Sequence, residues 1–95
     1  LSRKQVQRLL EAEGYRLVED AWVEHGRLTF VHDDDADRSH ISRLARVLQA
    51  EGWEKSKTQL RTFGNPTSGE IVEVEPGGAG TSGHFIHYVS AFATS

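Results

Sequence analysis

Apolar side chains recur at helical spacing in two stretches of this chain. Val6, Leu9, Leu10 and Glu13 fall at i, i+3, i+4 and i+7, and Ile41, Leu44, Ala45 and Leu48 form a second stripe, with Arg43 and Arg46 on its flanks or outer face. The ends of the two stretches read alike: Leu9-Leu10-Glu11-Ala12-Glu13-Gly14-Tyr15 is matched 38 residues later by Val47-Leu48-Gln49-Ala50-Glu51-Gly52-Trp53. Each pattern predicts an amphipathic helix stopped by a glycine, with an aromatic residue opening a more extended run. A helix-then-hairpin unit is therefore expected twice.

Between and beyond these helices the period changes to two. Leu17 to Trp22 and Leu28 to Val31 predict a strand pair, joined by a tight turn near His25-Gly26. Trp53 to Phe63 predicts a strand exposed on one side, and Glu70 to Glu75 a returning strand stopped by Pro76, across the turn-rich loop Gly64-Asn65-Pro66-Thr67-Ser68-Gly69. Lys55, Lys57 and Arg61 would then face glutamates across the pair. Ser2 with Gln5 matches a capping box for the first helix. Asp33, Asp34, Asp35 and Asp37 precede the second, where a helix N-terminus favours negative charge. In the last segment His84, His87, Ala91 and Thr94 recur at helical spacing opposite Phe85, Tyr88, Val89 and Phe92, which favours a third helix capped by Thr81 or Ser82. The same aromatic and β-branched residues also suit a strand.

These elements predict a single α+β domain over 1–95 in two layers. Repeated α-β-β units, at about 2–32 and 39–76, give a four-stranded antiparallel sheet with helices on one face, followed by a Gly-rich loop at 77–83 and a short C-terminal helix or strand within 84–95. Leu9, Leu10, Leu17, Phe30, Leu44, Leu48, Val72 and Val74 are the expected core, with Tyr15 and Trp53 in related positions.

Composition adjusts the picture modestly. The 95 residues, 37% apolar and 26% charged, suit one small core. No apolar run reaches the length of a membrane span and no leader pattern is visible, while a chain opening on Leu1 implies a start further upstream. Without cysteine, disulfides and thiolate ligands are excluded, which fits a reducing, cytoplasmic setting. All eleven Lys and Arg lie between Arg3 and Arg61, balanced there by eleven Asp and Glu; Glu70, Glu73 and Glu75 supply the net charge of −3. Bulk attraction to nucleic acid or anionic lipid is not expected from such a balance.

Candidate chemistry is incomplete wherever it is met. Gly78 to Gly83 has the spacing of a phosphate loop, and Gly78, Gly80 and Ser82 could cradle an anion, but His84-Phe85 stands where that motif needs Lys and then Ser or Thr. His84 and His87 on one helix face would make two ligands of a metal site, with His25, His32, His40 or an aspartate needed to complete it. Asp33, Asp35 and Asp37 begin like a calcium loop, yet Arg38 replaces its glycine and Leu44 its glutamate. No cofactor and no metal are expected.

Leu9, Leu10, Gly14, Tyr15 and His25, within Lys4 to Trp53, resemble the HicA-type family of small toxins: a leucine-rich helix, a glycine and aromatic stop, a strand pair and a second helix. The resemblance implies a double-stranded-RNA-binding-like fold and RNA cleavage, with His25 at about the place of that family's catalytic histidine. Trp22-Val23-Glu24 precedes His25 here, where family members usually carry Gly-Ser.

Two functions follow as expectations. The first is a small non-catalytic binding or regulatory module acting on another protein through a sheet face, an edge or the Gly77 to Gly83 loop, with self-association across the open face or an edge strand as a variant. The alternative is an RNA-directed protein, either a ribonuclease using His25 or His32 or a binder using Arg3, Lys4, Arg8, Arg43, Arg46, Lys55, Lys57 and Arg61. No membrane partner is expected.

Overall fold

A computed structural model describes residues 3–32, 39–76 and 84–90 of the chain. The elements run α1 (Arg3–Ala12), β1 (Tyr15–Ala21), α2 (Trp22–His25), β2 (Arg27–His32), α3 (Ser39–Ala50), β3 (Glu54–Lys55), β4 (Thr62–Gly64), β5 (Ile71–Pro76) and β6 (His84–Val89). The capping residue Ser2, the acidic run from Asp33 to Asp37, the loop holding Gly78, Gly80 and Ser82, and the cap candidate Thr81 lie outside the described residues.

Both long helices end as their glycines require. Glu13 N–H donates to the Leu9 and Leu10 carbonyls and Gly14 N–H to Glu11, while Glu51 N–H donates to Val47 and Leu48 and Gly52 N–H to Gln49. Gly14 and Gly52 have φ of 94° and 92°, a left-handed turn that L side chains adopt at a cost. Tyr15 and Trp53, just beyond, are both buried. The continuations differ, because Tyr15 opens a seven-residue strand whereas Trp53 precedes the two residues of β3.

The strands form one antiparallel sheet of six, in the order β1-β2-β6-β5-β4-β3. This corrects the expectation of four strands in two ways. Trp53 to Phe63 is not a continuous strand; it breaks into β3 and β4 around a turn at 56–61. His84–Val89 takes the strand alternative rather than the favoured helix, as β6 inserted between β2 and β5. Alternation governs β6: His84, Ile86 and Tyr88 are buried while Phe85, His87 and Val89 are half-buried. A central strand partly covered on both faces carries apolar residues on both, which blurs period two against period 3.6.

The first hairpin also departs from expectation. Its connection is a single helical turn, α2, started by Trp22 N–H donating to Asp20 Oδ1 at 3.1 Å and ended by Gly26, whose φ of 65° lets its N–H reach the Trp22 carbonyl. Register shifts between Leu17 and Glu19, so Val18 is an extra, exposed residue. A bulge of this kind twists an outer strand away from edge pairing.

Val6 and Leu10 of α1 and Leu44 and Leu48 of α3 meet Leu28, Phe30, Phe63, Val72, Val74, Ile86 and Tyr88 in one core, with Tyr15 and Trp53 within it and Leu9, Leu17 and Ile41 packed against it. These strand residues share one face of the sheet, so both helices lie on that side. Leu10 and Leu48 are 0% exposed, and the burial of each contributes about 2–3 kcal/mol. Among the described residues no helix is long and apolar enough to cross a membrane.

Candidate functional site

Three clusters of polar side chains stand out, and the first is built around a histidine stack on the helix side of the sheet. Tyr15 opens β1, His32 closes β2 opposite it, and His40 is the second residue of α3. The His32 and His40 rings stack in parallel with centroids 4.1 Å apart, and Tyr15 meets both edge-on. The Tyr15 hydroxyl lies 2.7 Å from His40 Nδ1, deep in the protein. Held by the ring stack and the Tyr15 hydroxyl, buried His40 and half-buried His32 cross-link a helix start to two strands, which is a structural role. His84 begins β6 on the same face, one residue beyond the Phe85–Val31 pair. Among the described residues, no three His, Cys, Asp or Glu side chains are placed to hold a metal ion.

A strand puts consecutive residues on opposite faces, so the pairing of His84 with His87 expected from helical spacing is overturned: His84 faces the helices and His87 the opposite face. There His87 Nδ1 lies 3.0 Å from Thr29 Oγ1, and its Nε2 is 2.5 Å from Glu75 Oε2. Hydroxyl, imidazole and carboxylate in this order resemble a nucleophile-activating relay. Thr29 is only 6% exposed, and its hydroxyl is held in this contact with His87.

The third cluster occupies the other end of the helix-side face and leads outward. Arg3 lies over the Trp22 ring, 5.7 Å from its centroid, and Trp22 leans on Tyr88 at 5.0 Å. The Tyr88 hydroxyl donates to Glu70 Oε2 at 2.5 Å, and Ser68 Oγ donates to Glu70 Oε1 at 3.0 Å. Burial pushes the Tyr88 phenol far above its ordinary range, helped by the bond to and charge of Glu70 and opposed by Arg3. Both Glu70 oxygens are thereby engaged within the chain.

Glu70 lines an open groove of about 480 Å³ at the β3–β4 edge, together with Lys55, Lys57, Asn65, Pro66 and Ile71. One wall is Ser56 to Gln59, the first part of a hydrogen-bonded turn at 56–61 whose Leu60 and Arg61 lie outside the groove lining. Thr58 and Gln59 N–H donate to Ser56 Oγ at 3.2 and 3.0 Å, Ser56 N–H donates to the Thr62 carbonyl at 2.8 Å, and Thr62 Oγ1 donates to the Leu60 carbonyl at 3.0 Å. Arg61 has φ of 53°, the one left-handed non-glycine among the described residues. Leu60, the turn's apolar side chain, is 86% exposed. The opposite wall is a hairpin loop in which Thr67 and Ser68 N–H donate to Asn65 Oδ1.

The structure places Lys55 and Lys57 on the groove and Arg61 at the end of the same turn, where its carbonyl accepts from Val74 N–H, and not as a ladder against glutamates: the register pairs Lys55 with Phe63 and sets Thr62 opposite Glu73. Arg8 lies exposed on α1, and Arg43 and Arg46 on α3, where Arg43 donates to Ser39 Oγ at 3.1 Å. His25 is an exposed residue at the end of α2, and His32 sits half-buried in the stack. Leu60 and Glu70 escaped sequence reading. Ser56 followed by Thr58 is the signature of a side-chain-capped turn and was the available signal. Glu70 left no signal, because its partner Tyr88 is 18 residues away.

Fold and edge together define a small α+β domain with a hydrogen-bonded basic turn beside a groove. No protein-family model, curated protein or solved structure matches the chain.

Proposed function

We propose that this chain is a small non-catalytic binding module that contacts another protein through the β3–β4 edge. The observation that carries the reading is Leu60, a large apolar side chain 86% exposed at a turn whose backbone is pinned by its own hydroxyls. Single exposed apolar residues are ordinary on protein surfaces. Here the flanking geometry is specific: Arg61 is held in a left-handed conformation that costs about 1 kcal/mol or more, and such strain concentrates where a backbone presents a side chain for use. Burying a leucine on a partner contributes about 2 kcal/mol, a useful anchor for a preorganised contact.

A photo-crosslinking residue placed at position 60 of the full chain, in the native host, tests this. A protein adduct is expected that is absent when the same group replaces Val23, which is 90% exposed on α2, and that weakens in the K55E/K57E variant. An RNA adduct, or none, would overturn the reading.

A further inference from the structure

The partner's chemistry can be read from the charges around Leu60, and this step rests on the binding role just proposed. Among the described residues, Arg27 is engaged with Glu19, Arg3 with the Trp22 ring and Arg43 with Ser39. Lys55, Lys57 and Arg61 form no ion pair with any described residue. Three uncommitted cations therefore fall within a seven-residue stretch around Leu60, whereas Lys4, Arg8 and Arg46 are spread over two helices. Within the groove Glu70 gives both oxygens to internal hydroxyls, and Glu54 lies beside Lys55.

We propose that the turn and groove dock an acidic protein segment, with partner carboxylates meeting Lys55, Lys57 and Arg61 and an apolar pocket of the partner receiving Leu60. Glu54 and Glu70 interrupt the positive charge, so the cations are separate points rather than a continuous track. Discrete carboxylates can interleave with such points, while a phosphate backbone, charged at every nucleotide, meets the glutamates as well. No aromatic ring lines the groove, so bases find no stacking platform. A lipid surface gains about 1 kcal/mol per cation and one leucine, too little for a stable anchor. Complementary charge sets approach and register, and the buried apolar contact holds the complex.

The full chain is titrated at low salt with a labelled alternating Glu-Leu peptide, a Lys-Leu control, oligouridine and phosphatidylserine vesicles, following anisotropy and backbone amide shifts. The Glu-Leu peptide is expected to bind alone among these and to move amides within 54–71. Affinity should fall about tenfold in K55E/K57E and by a similar factor in L60S, with salt dependence lost only in the former. No binding of the acidic peptide, shifts elsewhere on the chain, or equal binding of RNA or vesicles would overturn the acidic partner. A crosslink from position 60 to a protein without an acidic contact surface would overturn this inference and leave the binding role standing, whereas no crosslink would remove both.

Discussion

Gly14 lies against His32 so closely that a β-carbon on it would sit 2.5 Å from His32 Nε2, whereas the same atom on Gly52 would meet nothing within 4 Å. The two glycines have nearly the same left-handed backbone and very different surroundings. Gly14→Ala is therefore expected to lose at least about 2 kcal/mol, combining backbone strain with displacement of the histidine stack. Gly52→Ala should lose only about 1 kcal/mol, from strain alone. Urea unfolding midpoints of the two variants measure the difference, and equal losses would contradict the close approach.

The core is shared by both helices, so truncation on either should be felt by the whole domain. Leu10→Ala and Leu48→Ala each remove a side chain that is 0% exposed, and each should cost about 2–5 kcal/mol in a single cooperative transition. A biphasic transition in one of them would show that the helices stabilise separate units.

The turn at 56–61 is pinned by hydrogen bonds and not by Leu60, which makes its apolar residue dispensable for folding. Leu60→Ser should alter unfolding free energy by less than about 0.5 kcal/mol. Arg61→Gly should also stay within about 0.5 kcal/mol, relief of strain being offset by the freer unfolded chain, while Arg61→Val places a β-branched residue in a left-handed position and should cost more than about 1 kcal/mol. Circular dichroism melts of the three variants give the ranking.

Tyr88 predicts an alkaline effect with a definite sign. Its phenol is raised above the ordinary 10.0 by burial first and by Glu70 second, so the folded chain keeps the proton after the unfolded chain has lost it. The stabilisation is complete below pH 10 and declines by about 1.4 kcal/mol per pH unit above it. Tyr88→Phe should flatten that part of the pH dependence, as read by denaturant midpoints on either side of pH 10.

Helix positions were legible because an amphipathic helix writes its own period: Val6, Leu10, Leu44 and Leu48 are the buried residues that the spacing marks. The glycine corners at Gly14 and Gly52 were legible for a similar reason, since the backbone conformation is local. The expected core survives almost whole, with Leu9 and Leu17 at its margin. Less of the candidate site is legible in the sequence. Lys55, Lys57 and Arg61 stand out in the sequence by their charge, but Leu60 between them reads as a strand residue, and its exposure follows from a turn that breaks the strand.

Local alternation and capping chemistry alone determined an α+β composition, the two helices, their stops and the residues they bury. Tertiary structure decided the rest: that His84–Val89 becomes a central strand, that His84 and His87 part to opposite faces, and that Tyr88 reaches Glu70 at the groove. Strand pairing is a contest among distant segments for the same backbone hydrogen bonds. Its outcome depends on which faces the assembled core covers, a quantity that no window of neighbouring residues contains.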